Sequence, residues 1–310
     1  MPRVAIIGAG LIGRSWANVF SRAEWQVALY DPVPGQARSA VPLVVAGLRQ
    51  LAEQGLVRDA DRAAARLSVA GSLAEALAGA VFVQENAPET LEDKLALFAE
   101  LDRLAAPDAI LASSTSAIIA SRFTEALTGR ARCLVAHPVN PPHLVPVVEL
   151  VGAPWTSDET IRRAKEVYEQ IGQSPIVVRK EVDGFILNRL QGALLAEAFR
   201  LVGEGYVSPQ DLDKTIKDGL GLRWSFMGPF ETIDLNAPGG IADYCARYTG
   251  FYQHLQEAPA KRDVFEPANI ERVVGAWGLP GDRARLDARM RWRDERLAAL
   301  KAHKATQPKS

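Results

Sequence analysis

The sequence predicts an α/β protein: a mostly parallel sheet covered by helices on both faces, followed by an all-helical C-terminal domain. Three observations carry this. Short apolar runs alternate with helical stretches over roughly the first 180 residues, the pattern of strands linked by crossover helices. A glycine-rich turn, Gly8-Ala9-Gly10-Leu11-Ile12-Gly13, joins the first apolar run directly to a helical pattern. From Gly184 onward the strand-like runs stop.

Taken in order, Val4–Ile7 is a buried strand, and the helical stretch after Gly10 leads to a second strand, Gln26–Tyr30, which Asp31 ends. The Ala/Leu/Arg-rich stretch from Gln36 to Arg66 reads as two helices broken near Gly55. Leu67–Ala70, Val81–Gln84, Ala109–Ala112, Arg132–Ala136, Val145–Leu150 and Ile176–Val178 read as strands. Leu91–Leu104 and Asp158–Ile171 read as helices between them. Phe185–Glu204 is a long helix, and Ser208 caps the next one, with Asp211 as the acid three residues on. The expected domains are 1–182 and 183–310, with the polar, Lys-rich end from about Ala302 unstructured.

The first strand-turn-helix and the acid after the second strand make a dinucleotide-binding fingerprint in its required context, a Rossmann-type sheet domain. Gly8 permits the tight turn, Gly10 lets a pyrophosphate approach the backbone, and Gly13 lets the helix pack on the strand. Leu11, Ile12 and Gly13 open the helix whose free N–H groups and dipole attract that pyrophosphate. Asp31 can accept hydrogen bonds from ribose hydroxyls and would repel a 2′-phosphate, which favours NAD over NADP. Arg14 and Arg22 nearby soften that preference.

Composition excludes other classes. A net charge of −1 implies neither a nucleic-acid nor a membrane partner, and no apolar run is long enough to span a bilayer. Cys133 and Cys245 read as buried free thiols of a reducing cytosol, and no Cys/His spacing suggests a metal. The expected location is cytoplasmic. A long apolar helix opening a small helical domain needs a partner surface, so a homodimer through that domain is expected.

Alcohol oxidation needs a base, and histidine titrates in the right range. Of four histidines, His137 directly follows the strand Arg132–Ala136, where ligands of open α/β sheets bind. His143 lies in a loop, either solvent-exposed or near substrate, and His254 and His303 are discounted. Glu149 lies inside an apolar strand and needs a partner, either an unrelated Arg or His137 brought alongside by a bend at Asn140-Pro141-Pro142. Ser116 is either a helix cap or a contact to the reacting oxygen. Asn188 is either a structural amide or a second such contact.

Ser113-Ser114-Thr115-Ser116, His137-Pro138-x-Asn140-Pro141, Val148-Glu149 and Gly184-Phe185-x-x-Asn188-Arg189 resemble, in order and spacing, the L-3-hydroxyacyl-CoA dehydrogenase superfamily. Within it the chain is most similar to the branch that oxidises L-gulonate at carbon 3, through Gly13-Arg14-Ser15-Trp16-Ala17, Lys180–Gln191 and Trp292–Glu295. The resemblance implies His137 as acid/base with Glu149 as its partner, and Ser116 and Asn188 at the reacting oxygen. It also implies Glu89 and Lys94 near the nicotinamide half of NAD; by themselves these read as a surface acid and a helix-start lysine. A free carboxylate calls for a bidentate arginine, and Arg223 is the candidate, against an exposed Arg on a helix end. Asn140, His143 and Asn188 are candidate polyol partners. The alternatives are a short-chain 3-hydroxyacyl-CoA dehydrogenase, another free 3-hydroxy acid such as 3-hydroxybutyrate or carnitine, and a non-enzymatic structural role.

Overall fold

The computed structural model describes residues 1–277 and 283–307, and these form two compact units. Met1–Ile186 and the stretch from Asp287 onward form the first, and Leu187–Leu286 the second.

The first unit holds an eight-stranded sheet: β1 (Arg3–Ile7), β2 (Gln26–Tyr30), β3 (Leu67–Val69), β4 (Phe82–Glu85), β5 (Ile110–Ser113), β6 (Cys133–Pro138), β7 (Val147–Gly152) and β8 (Ser174–Val178). Their order is β3-β2-β1-β4-β5-β6-β7-β8. Pairing is parallel from β3 through β6, β7 runs antiparallel to β6, and β8 is parallel to β7. The reversal has a simple cause: the connection between β6 and β7 is too short for a crossover helix, so the chain must turn straight back.

Side chains alternate across the sheet and are buried on both faces. Val4, Ile6, Phe82, Leu134, Ala136, Val148 and Leu150 enter one apolar cluster with Trp16, Phe20 and Tyr168. Ala5, Ile7, Val83, Leu111, Cys133, Val135 and Val151 enter the other, with Phe98, Phe123 and Phe185. This parity puts Glu85, Ser113, His137 and Glu149 on the second face, each next in alternation to an apolar residue of that cluster. Helices Leu11–Arg22, Gln36–Glu53 and Asp158–Gln170 supply the first cluster. Leu91–Leu104 contributes to the second. Thr90, Ser157 and Ser208 cap their helices by accepting from the amide three residues on, Asp211 in the last case.

The end of the chain differs from expectation. The stretch from Ala302 continues the helix Arg283–Ala305, and the part from Asp287 groups with the sheet unit, whereas the sequence assigns everything from 183 to 310 to the helical domain. Ala298 is only 1% exposed within the first apolar cluster, with Leu297 packed against it, and that apolar contact orders an otherwise polar helix. Cys133 is buried as expected, and burial pushes its thiol up to about 12. Cys245 is instead exposed.

The second unit, among its described residues, is helical throughout. It includes Leu187–Gly203, a nearly continuous stretch from Pro209 to Trp224 that passes through a π-helical segment, and Gly240–Leu255. Among the described residues no helix is long and apolar enough to cross a membrane.

Candidate active site

The glycine turn is built as its chemistry requires. Gly8 has φ +90°, and a Cβ there would sit 2.6 Å from the Asn86 carbonyl oxygen. A Cβ on Gly13 would lie 1.9 Å from the Gly8 carbonyl oxygen, so helix and turn touch. A Cβ on Gly10 would meet nothing within 4 Å, leaving the turn open on its outer side. The helix from Leu11 starts with no side-chain cap and no acid in its first turn, so its amides face outward for an anion. Leu11 is 40% exposed at that start, while Ile12 packs against the core. Asp31 holds the turn from the far side: one carboxylate oxygen accepts from Ala9 N at 2.8 Å and the other from Val33 N at 2.9 Å. A cavity of about 610 Å³ opens between Gly8, Gly10, Asp31, Val33, Asn86 and Pro88. Its open glycine edge, free helix amides and carboxylate fit a dinucleotide.

His137 and Glu149 stand directly opposite in the β6–β7 ladder. His137 Nδ1 lies 2.7 Å from Glu149 Oε2, and Glu149 is fully buried. Glu149 Oε1 accepts from Ile186 N at 2.8 Å. The Phe185 ring packs on His137, with centroids 5.4 Å apart. That placement requires Gly184 and Phe185 both at positive φ, +77° and +49°; for a bulky residue this is a strained conformation, typical of functional sites. An ionised Glu149 makes Nδ1 the donor and leaves Nε2 as the basic nitrogen.

The turn Ser113-Ser114-Thr115-Ser116 leaves β5 beside β4, and each of its residues is gripped from the β4 side. Ser113 Oγ donates to Glu85 Oε2 at 2.5 Å. Ser114 Oγ receives Trp16 Nε1 at 3.0 Å and Gln84 Nε2 at 2.8 Å and donates to Asn86 Oδ1 at 2.8 Å. Glu89 Oε1 accepts from Thr115 Oγ1 and from the amides of Ser116 and Ala117, both at 3.0 Å. Lys94 is 1% exposed; its ammonium meets Glu85 Oε1 at 2.7 Å and the Ala87 carbonyl at 3.2 Å. Glu89 and Lys94 thus touch the chain beneath the cofactor turn and the serine turn.

The sequence singled out Ser116, and the family resemblance Glu89 and Lys94, but neither pointed to Glu85, Gln84, Asn86 or Tyr168, whose hydroxyl donates to Gln84 Oε1 at 2.5 Å. A signal existed: Gln84-Glu85 ends an otherwise apolar strand and is wholly buried. Asn140 is exposed at the start of the β6–β7 loop, and His143 is half-buried there. Asn188 and Arg223 belong to the second unit. Asn188 lies in the first turn of Leu187–Gly203, and Arg223, exposed, is in the short helix Gly221–Trp224. Among the described residues, no group of three or more His, Cys, Asp or Glu is placed to hold a metal ion.

Comparisons with known proteins agree with the fold. The 3-hydroxyacyl-CoA dehydrogenase NAD-binding domain matches residues 3–182, and the C-terminal domain of the same family matches 184–279. The chain belongs to the 3-hydroxyacyl-CoA dehydrogenase family. It is 44% identical over 302 residues to the lambda-crystallin homolog of Mus musculus, covering 96% of this chain and 94% of that one. It is 43% identical over 297 residues to the L-carnitine dehydrogenase of a Pseudomonas species, covering 96% and 92%. Among solved structures, an NAD+-dependent 5-formyl-3-hydroxy-2-methylpyridine 4-carboxylic acid 5-dehydrogenase superposes with a TM-score of 0.86 at 26% identity, over 99% of this chain and 100% of that one. The family is one of NAD-dependent dehydrogenases acting on a CH–OH group, and this chain is such an enzyme with NAD as its cofactor.

Proposed function

We propose that the chain oxidises the 3-hydroxyl of a small free hydroxy acid, converting L-gulonate to 3-dehydro-L-gulonate. The observation that carries the chemistry is the buried His137–Glu149 pair at 2.7 Å. The identity to lambda-crystallin homologues, the branch that the sequence resembles, supports the free acid over a CoA thioester.

In this reading Gly8, Gly10, Leu11, Ile12, Gly13 and Asp31 hold the dinucleotide, with Glu89 and Lys94 supporting its nicotinamide half. NAD, when bound, supplies the hydride acceptor. His137 Nε2 takes the proton of the substrate hydroxyl. Glu149 keeps the ring in the tautomer that exposes Nε2 and stabilises the imidazolium that forms. Ser116 and Asn188 hold the reacting oxygen, Asn140 a further hydroxyl, and Arg223 the substrate carboxylate.

The enzyme works in the cytoplasm as a homodimer through its helical unit. Leu190, Phe226, Phe230 and Phe251 of that unit are exposed, an apolar surface that a second copy would cover.

L-carnitine is the second reading. Carnitine dehydrogenases match at almost the same identity, and Trp224, Phe226 and Phe230 lie near Arg223 in the chain, aromatic groups suited to a quaternary ammonium. The deciding experiment follows NADH formation with L-gulonate, L-carnitine and 3-hydroxybutyrate, and NADH consumption with acetoacetyl-CoA. A clear preference for L-gulonate is expected. Preference for the CoA ester would discard the free-acid reading and Arg223 as its clamp.

A further inference from the structure

The C-terminal helix Arg283–Ala305 lies beyond both family matches, which end at residue 279. Its Lys301 reaches the loop between His137 and Glu149: Nζ donates to the His143 carbonyl oxygen at 3.2 Å. Arg22 Nη1, from the end of the first helix, donates to the same oxygen at 2.9 Å. Gln173 Nε2 donates to the neighbouring Pro142 carbonyl at 3.3 Å. Three side chains from three separate stretches of the first unit therefore converge on two successive carbonyls of one short loop.

Two cations converging on an uncharged oxygen is an unfavourable arrangement by default. Among the described residues, neither Arg22 nor Lys301 has a carboxylate within ion-pair distance. Burial and the neighbouring Arg22 charge push the Lys301 ammonium down to about 7, and burial lowers Arg22 to about 10. The His143 ring is pushed down to about 4 by burial and by the charges of Arg22, Lys301 and Arg293, so it stays neutral between them.

The sheet holds this loop at its ends, where Ser174 N also donates to the Pro146 carbonyl at 2.8 Å, and Leu144 is buried in the first apolar cluster. The β6–β7 ladder ends at Pro138 opposite Val148, with one further bond from Val139 N to Val147 O, and Asn140 lies beyond it. We propose that Arg22 and Lys301 are positioning residues that clamp the loop 139–146 against the sheet unit and so set Asn140 for the substrate, which makes the C-terminal helix a working part of the substrate site. The proposal rests on the reading above only in taking Asn140 as a substrate contact.

The test compares Lys301→Met, Lys301→Gln, Arg22→Met and Lys301→Arg in the full-length enzyme. Hydrogen exchange is read at Leu144 and Val145, whose amides bond to the Pro141 carbonyl at 3.0 and 2.9 Å. At pH 6, where Lys301 is charged, losing a hydrogen bond from a charged donor should raise exchange there, and KM, by about tenfold. kcat and NADH affinity should stay within about twofold, and Lys301→Arg should restore both readouts. Lys301→Gln carries the test if the methionine variant does not fold. Unchanged exchange would overturn the clamp, and faster exchange at constant KM would overturn its role in the substrate site. Each KM is measured on whichever substrate the parent enzyme turns over best. A wrong substrate assignment would therefore show in the parent and leave the variant-to-parent ratio readable.

Discussion

Two buried carboxylates on the same face of the same sheet have different fates. Glu149 on β7 faces His137 across an antiparallel ladder, and Glu85 on β4 faces Ser113 across a parallel one. Both are fully buried. Glu85 accepts from Lys94 Nζ, Ser113 Oγ and the Ala87 amide, so it pairs with a lysine. Glu149 accepts from the Ile186 amide and pairs with an imidazole in place of a lysine. A buried acid beside a lysine holds loops in place; a buried acid beside a histidine can support proton transfer, because only the histidine changes charge near neutral pH.

Mutations can break that contrast. His137→Gln should lower kcat by about 10²–10⁴, the range for removing a general base, while NADH still binds. Near-parental turnover would remove His137 from the role. Lys94→Met should do the reverse. It strands the Glu85 charge in the core, at a cost of about 3–5 kcal/mol in denaturant unfolding, and in the protein that folds NADH affinity should fall more than kcat. Full stability together with lost turnover would show that the two pairs are not distinct in kind. Glu149→Gln keeps the shape and an acceptor for the Ile186 amide but removes the charge, so kcat should fall by at least about tenfold with a smaller loss of stability. An unfolded Glu149→Gln protein would make this pair structural as well. The mildest change expected is in Arg223→Met, which should raise KM for L-gulonate by about tenfold and leave NADH affinity unaltered, as loss of a charge-assisted contact does. A constant KM would return Arg223 to the role of a surface arginine.

Much of the site was legible because it is local. Gly8 through Gly13 and Asp31 lie within one strand-turn-helix-strand, and residue type with spacing nearly defines what that unit binds. His137 was readable from its place at a strand end. Glu89 was not readable from its own surroundings, because its contacts to Thr115, Ser116 and Ala117 cross from one strand end to the next. Lys94 illustrates the opposite difficulty. A lysine near a helix start is ordinarily solvated, and only the buried Glu85 nine residues away draws it inside. The end from about Ala302 reads as unstructured because its composition is polar, whereas the helix Arg283–Ala305 runs into it, and the apolar residues that order that helix become informative only once the surface they cover is known.

The parallel sheet, the cofactor turn, the family, and His137 and Glu149 as candidate residues were readable from the chain alone, since periodicity and short motifs record local geometry. Only the tertiary structure decided that Glu149 stands opposite His137 in register, that Glu89 holds the serine turn, and that Lys301 and Arg22 meet on one carbonyl of the β6–β7 loop. Those contacts join residues far apart in the chain. Their partners are selected by packing and by the need to satisfy buried charge, which no local pattern encodes.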